Sequence, residues 1–423
     1  MAAGSFSAGL SGLSANSAYL SVIGNNLANI NTVGFKASTM SFADLVSQTL
    51  EGPAINAMQV GLGVTVGQIS PVFSQGSIER TRETTNAAIQ GNGFFVVANP
   101  NGAGNAYTRA GNFSFDSAGT LVTPDGWYVQ GYTQVTPATG AIVTTGQPGN
   151  IVIPPGILRP PVATTNFRTL INLQADAVID PANPEFTASV QIYDSLGAPH
   201  VVTLLFDRTA AGAWTYTAQV PAIDVTGVAG APVTLATGAL TFNGAGVMTA
   251  PAADVTIPGP ATWANGATPN AFTWDIFPPP NNTPAITSFA EPSAVSSASQ
   301  NGAPAGQVES VSITSEGEVM ATFGAGQSVA VAQLAIANFN NPKGLVKLGA
   351  NRYGESQAAG IPSIGTAGTG GRGTLIGSSL EQSNVDIAQE FTNMILAQRG
   401  YQANARTITV SDEILVETLQ LKR

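Results

Sequence analysis

The sequence predicts an α+β multidomain chain. Mainly-β inner and outer domains, barrel- or sandwich-like, lie between N- and C-terminal helices that pair as a coiled coil in a polymer. Three observations predict this. Small or apolar residues recur at Ala3, Phe6, Leu10, Leu13, Ser17, Leu20, Gly24 and Leu27 in alternating steps of three and four. The same steps run through Ile387, Phe391, Met394, Gln398, Tyr401, Ala405, Ile408, Asp412, Leu415 and Leu419. Such steps average about 3.5 residues, the period that keeps one helical seam toward a partner helix. Between the two stripes the chain is rich in Gly, Thr and Val, and its apolar residues alternate with period two, the mark of strands and turns.

Taken in order, the first helix is expected over 5–29, ending where Asn29-Ile-Asn-Thr-Val-Gly34 brings turn formers and a glycine. Gly24, Asn25 and Asn26 in its last turns predict fraying or a kink. Residues 31–70, with Gly-Pro and Gly-Leu-Gly-Val and a short helical patch at Met40, Phe42, Leu45, Val46 and Leu50, read as an extended connector. Strands follow at 88–97, 107–109, 112–116 and 121–130, separated by turns such as Asp116-Ser-Ala-Gly119 and Asp125-Gly126. The Pro-rich run Ile151 to Pro161 marks a boundary, after which strands at 188–194, 201–207 and 214–220 open a second β region. Strand patterns return at 308–313, 319–323 and 328–337, so the second domain reads as an insertion into the first. The expected domains are terminal helices at 1–30 and 378–423, connectors at 31–70 and 360–377, an inner β domain at 71–146 and 300–359, and an outer one at 147–299. Ser379 or Ser383 is the expected cap of the last helix, with Gln382 or Asp386 three residues on.

Composition narrows the function. Only 9% of the 423 residues are charged, and from Thr209 to Ala290 the only charges are Asp224, Asp254 and Asp275. A surface so poor in charge repels copies of itself weakly, which suits dense self-packing. A net charge of −10 argues against nucleic acid and anionic membrane as partners. No apolar run is long enough for a membrane span, and without cysteine there is neither disulfide nor thiolate chemistry. The first residues lack the basic and apolar regions of a secretory signal.

Nothing in the sequence supports an enzyme, a cofactor or a metal site. The single histidine, His200, cannot make the usual zinc site and reads as a solvated hairpin residue. Gly368-Thr-Gly-Gly-Arg-Gly373 matches a dinucleotide fingerprint by letter but lacks the strand before it and the helix after it, and reads as a flexible linker. The acidic pairs Asp176/Asp180 and Glu316/Glu318 lack calcium-loop spacing and read as turn residues.

Longer motifs point to one family. Leu20-Ser-Val-Ile-Gly-Asn-Asn-Leu-Ala-Asn-Ile-Asn-Thr-Val-Gly-Phe-Lys36 resembles the N-terminal signature of bacterial flagellar rod and hook proteins, carried by Asn25, Asn26, Leu27, Ala28, Asn29, Thr32, Gly34, Phe35 and Lys36. Gln75 to Thr81, Ala88 to Phe95, Tyr107 to Phe113 and Asp125 to Gly131 resemble that family's shared β domain. Leu380 to Asp386 and Gln398 to Ala405 are similar to its C-terminal signature, with Gly400 as a tolerated variant. Val190 to Val202 and Ala332 to Leu345 look like the entry to and return from the outer domain of hook proteins. The resemblance covers nearly the whole chain and is thin from 220 to 300. It implies a structural subunit of a curved, hollow flagellar hook acting as a universal joint, the alternative being a straight distal rod. It also implies terminal helices that pair only in the polymer. The self-assembly seam would be Phe6, Leu10, Leu13, Leu20, Leu27, Ile387, Phe391, Met394, Tyr401, Ala405, Ile408, Leu415 and Leu419. Implied partners are other copies of the chain, rod, hook cap, hook-length control and hook–filament junction proteins, and the type III export apparatus, with an extracellular location reached without a cleaved signal.

Overall fold

The computed structural model describes residues 2–46, 48–50, 58–102, 104–136, 141–179, 184–279, 283–324 and 326–420. It is mostly β, with a long helix at each end: α1 spans Ala2–Ala28, a short α2 spans Ala222–Thr226, and α3 spans Ile387–Gln420. The chain divides into two compact units, residues 1–155, 311–321 and 329–423 in one, 156–310 and 322–328 in the other.

In the first unit, strand Phe94–Ala98 is central, pairing antiparallel with Asn105–Thr108, Tyr128–Tyr132 and Ile336–Asn338. Its side chains alternate between two buried clusters. Phe95 and Val97 join Ile89, Leu121, Ile151 and Leu334 on one side, while Phe94 and Val96 join Tyr107, Phe339 and Tyr353 on the other. A strand buried on both faces has to be apolar at every position, which explains the unbroken Phe-Phe-Val-Val run.

Both expected connectors are built structure. In the first, Ser38–Asp44 and Val64–Pro71 form an antiparallel ribbon, with a register shift at Ser41/Phe42. The helical patch expected there gives way to period two, and Phe42 meets Tyr19 of α1 edge-on at 5.7 Å. Leu50 of that patch lies in a strand, Gln48–Leu50, paired with Met58–Val60. The Gly-rich stretch 360–377 contributes Ser363–Gly365, paired with Ile336–Asn338, and Thr374–Gly377, paired with Ala87–Gln90. The loop 368–373 is pinned rather than flexible. Arg372 donates to the Thr366 carbonyl at 2.9 Å and to Thr369 Oγ1 at 2.7 Å, and the Gly373 amide donates to the Asn92 carbonyl at 2.6 Å. Buried backbone polar groups need partners, so a segment laid across a β unit is drawn into its ladders.

The second unit is a sandwich. One sheet is a meander of Phe186–Tyr193, Pro199–Ala210, Ala213–Val220, Val233–Phe242 and Met248–Ala250. In the other, Asn166–Asn172 runs parallel to Phe272–Trp274 and antiparallel to Ala294–Gln300. The strand Ala213–Val220 shows the code plainly: Trp214, Tyr216, Ala218 and Val220 are buried and the residues between them are half-buried. His200 is 6% exposed, against the solvated position expected of it. Its Nε2 lies 3.1 Å from Asp194 Oδ2 and its ring stacks on Trp263 at 3.9 Å. Nδ1 is 3.1 Å from Asp224 Oδ2, off the line of a hydrogen bond. Burial alone would raise the Asp194 carboxyl, but bonds from Asn265, His200 and the amides of Ala198 and Leu196 hold it below the usual range. Of the acidic pairs, Glu316 lies in a turn and Glu318 begins a strand, while Asp180 lies outside the described residues.

Candidate assembly site

The two terminal helices pair within a single chain, antiparallel, where pairing only in a polymer was expected. A Cβ on Gly9 would stand 3.2 Å from Ile408, one on Gly12 2.8 Å from the Asn404 side chain, and one on Gly400 2.9 Å from Asn16 Oδ1. At the far end Asn26 Nδ2 donates to Glu390 Oε1 at 3.0 Å. Small residues let the two backbones approach closely, and Gly400 lies at this contact, against the Asn16 side chain.

The paired faces are not the apolar stripes. The inward positions Gly9, Gly12, Asn16, Tyr19, Ile23 and Asn26 each precede a stripe position by one residue, about 100° around the helix. On α3 the inward Glu390, Ala397, Gly400, Asn404 and Ser411 do the same. The stripes are left facing outward. Phe6, Leu10, Ile387, Phe391, Tyr401 and Leu415 are exposed, Leu10 at 53% and Phe391 at 48%. Leu13, Leu20, Leu27, Met394, Ala405 and Ile408 are half-buried, Ile408 against Gly9, and the Leu419 side chain lies outside the described residues. Ile395, Leu396, Val410, Ile414 and Val416 widen the exposed apolar surface.

At the base of the helix pair the N- and C-terminal signatures meet. Glu381 and Lys36 have no exposed side-chain surface, and Lys36 Nζ lies 2.6 Å from Glu381 Oε1 and donates to the Ser74 carbonyl at 2.7 Å. Arg109, 3% exposed, sits 3.4 Å from Glu381 Oε2. The Gly76 amide donates to Glu381 Oε1 at 2.9 Å, and the Gly34 amide to the Glu381 carbonyl at 2.7 Å. Gly34 has φ +68, and a Cβ there would meet the Ala110 amide at 2.5 Å. Burial lowers the pKa of both Lys36 and Arg109, and the Glu381 charge opposes it. Phe35 is buried beside them. Asn384 closes the joint, accepting from the Ala37 amide at 2.8 Å and donating to the Val72 carbonyl at 2.8 Å.

The rest of the signature is divided. Asn26 is 1% exposed and brackets Ser38, donating to its carbonyl at 2.8 Å and accepting from its amide at 2.9 Å. These bonds are what prevent the expected fraying. Asn25 and Ala28 are exposed, Leu27 is half-buried, and Thr32 donates to Asn29 Oδ1 at 3.1 Å. Asp386 caps α3 in place of the two serines, accepting from the Ala388 amide at 2.8 Å and the Gln389 amide at 3.1 Å. Glu381 and Arg109 were not singled out from the sequence. Arg109 is the lone charge of the Tyr107 to Phe113 motif, and Glu381 shares Leu380 to Asp386 with Asp386 alone. Among the described residues no group of three or more acidic, histidine or cysteine side chains could hold a metal ion.

Four family models match in order along the chain: Flagella basal body rod protein (residues 6–36), Flagellar hook protein FlgE/F/G D1 domain (88–167), Flagellar basal body protein FlaE D2 domain (166–303) and Flagellar basal body rod FlgEFG protein C-terminal (377–421). The flagellar hook protein FlgE of Treponema pallidum (strain Nichols) is 36% identical over 458 aligned positions, covering 98% of each chain. That of Escherichia coli (strain K12) is 36% identical and covers 99% of this chain and 100% of its own. A flagellar basal-body rod protein, FlgG of Bacillus subtilis (strain 168), is less similar, at 28% over 98% of this chain and 97% of its own. The crystal structure of Helicobacter pylori flagellar hook protein FlgE2 shares the fold, with TM-score 0.52 and 17% identity over 72% of this chain and all of that one.

Proposed function

The chain belongs to the flagellar hook protein family and is a structural subunit of the hook, and from that premise we propose that it builds a curved, hollow tube that serves as a universal joint between motor and filament. The observation that carries this reading is the pair of apolar stripes left outside after α1 and α3 have paired. An exposed apolar surface of this extent marks an interface, and Phe6, Leu10, Leu13, Leu20 and Leu27 with Ile387, Phe391, Met394, Tyr401, Leu415 and their neighbours form the seam that meets other copies. Residues 156–310 with 322–328, rather than the expected 147–299, form the outer domain, and the scarcity of charge from Thr209 to Ala290 allows neighbours to slide as the tube turns, since few ion pairs must break.

In this reading the chain is exported by the flagellar type III apparatus, and meets rod, cap, hook-length control and junction proteins at the ends and in the lumen of the tube. Its location in the flagellar hook follows from the family, and no helix among the described residues is long and apolar enough to cross a membrane. Its relatives are structural proteins, and we assign the chain no catalysis.

Negative-stain electron microscopy of the purified, polymerised chain tests the reading. Curved, supercoiled tubes are the expected result. Straight shafts would favour the distal-rod alternative, and a chain that stays monomeric would exclude both.

A further inference from the structure

The antiparallel pairing gives the helix pair two unlike ends. Gly9 lies beside Ile408 and Asn26 beside Glu390, so the start of α1 and the end of α3 share one end, and the buried joint holds the other. At the free end α3 reads Asp412-Glu-Ile-Leu-Val-Glu417, exposed throughout. Ile414, Leu415 and Val416 are 52%, 42% and 47% exposed. Three successive helical residues sweep about 200° of the surface, so this tip offers apolar area on several sides, framed by three carboxylates. Lys422 and Arg423 follow in the sequence, outside the described residues.

The other end carries a cleft of ≈ 670 Å³, walled by Ala18 and Val22 of α1, Phe35, Ile69, Lys347 and Tyr353. Lys347 Nζ donates to Ser38 Oγ at 2.8 Å and lies 5.3 Å from the Phe35 ring centroid. Among the described residues no carboxylate stands within ion-pair range of it, whereas Arg352 beside it is matched by Asp125 at 3.0 Å. Burial pushes the Lys347 ammonium pKa down, as for a cation short of a counter-charge.

We propose that the acidic apolar tip of α3 in one copy docks into the Lys347 cleft of the next, its carboxylates against the ammonium and Ile414, Leu415 and Val416 against the apolar walls. The inference rests on the polymer-forming role above and adds the contact that propagates it. Tip and cleft lie at opposite ends of one helix pair. Their contact is therefore heterologous and does not close on itself unless the copies form a ring, and repetition gives an open helical polymer. An exposed lysine with no carboxylate in ion-pair range favours an acidic occupant over a basic one, so the cleft selects an acidic tip.

The absence of cysteine makes the test clean. A chain carrying Val22→Cys and Leu415→Cys is polymerised, oxidised with copper–phenanthroline and run on a denaturing gel. The expected result is a ladder of covalent multimers that neither single variant gives. Polymer without a ladder overturns the docking and leaves the hook assignment standing, whereas a wild-type chain that never polymerises overturns both. If the cysteine pair blocks assembly, charge exchange decides. Lys347→Glu should lower polymer yield at least tenfold, and adding Glu413→Lys should restore it. Undiminished polymer from the first variant, or no recovery in the second, overturns the proposal.

Discussion

The sandwich of residues 156–310 and the terminal helix pair use apolar side chains in opposite ways. The sandwich encloses Phe167, Phe206, Trp214, Phe272 and Trp274 almost completely, each worth about 1.5–3 kcal/mol for its burial. The helix pair buries Ala15, Ile23 and Ala397 between its faces while Phe6, Leu10, Phe391, Ile395, Leu396 and Leu415 stay exposed. One region satisfies its hydrophobic surface alone. The other is joined by small residues, asparagines and a buried ion cluster, and reserves its large side chains for other copies.

The comparison breaks first, and hardest, in the sandwich. Trp274 has no exposed surface, touches the rings of Phe167, Phe206 and Tyr216, and donates to Thr169 Oγ1 at 2.9 Å. Trp274→Ala should cost about 3–5 kcal/mol, read as an earlier urea midpoint for the β signal. The far-ultraviolet helical signal should survive, and its joint loss would show that the sandwich does not stand alone. Next comes the base of the helices. Glu381→Gln leaves Lys36 and Arg109 buried with a neutral partner, and breaking a buried pair costs about 3–5 kcal/mol. We place this variant near the lower bound, since the amide oxygen still accepts from Lys36. An unchanged thermal midpoint would mean that water already compensates these charges.

Legibility followed the same division. Period-two strands such as Ala213–Val220 were readable because one face is buried and the other less so. The strand run 88–97 was readable too, though Gly91 and Gly93, both at positive φ, split it into Ala87–Gln90 and Phe94–Ala98. The helices were readable from their stripes, but the stripes did not reveal the second face by which the two helices meet within one chain. Hydrophobic period identifies a seam without saying whether the partner is the same chain or another, and here Gly9, Gly12 and Gly400 take the internal contact. The joint was readable only as a motif. That Lys36, Glu381 and Arg109 converge depends on pairings such as Ser379–Glu381 with Ile78–Arg80, which no local pattern encodes. His200 reads as solvated from sequence because Trp263, which stacks on it, and Asp224 come from distant segments, and only Asp194 lies in its own hairpin.

A smaller effect sharpens the account of the inner face. Gly12→Val would place its Cβ 2.8 Å from the Asn404 side chain, and overpacking of this kind costs about 1–3 kcal/mol. Asn404 can rotate at the expense of its 2.9 Å bond to the Gly400 carbonyl, which keeps the effect near the lower end. Helix content of the monomer, followed by circular dichroism on heating, should fall earlier than in the parent. An unshifted curve would mean that the helices do not pair before assembly.

The smallest effect on the monomer is the most informative about the outer face. Leu10 is one residue from Gly9 and Ser11, yet it points away from α3 and is 53% exposed. Leu10→Asp therefore removes little buried area, and a substitution away from caps and packed groups stays within about 0.5 kcal/mol. In the polymer the same change places a charge in an apolar seam with no partner, at a cost of several kcal/mol per copy. The expected outcome is an unchanged monomer melt together with loss of sedimentable polymer. Ile408→Asp is the contrast, because Ile408 also lies against Gly9 inside the chain, and it should lower the monomer melt and block assembly together. If Leu10→Asp destabilises the monomer as much as Ile408→Asp does, the two faces are not distinct. The apolar stripe would then belong to the chain's own core, and the division between self-satisfied and reserved surface would fall.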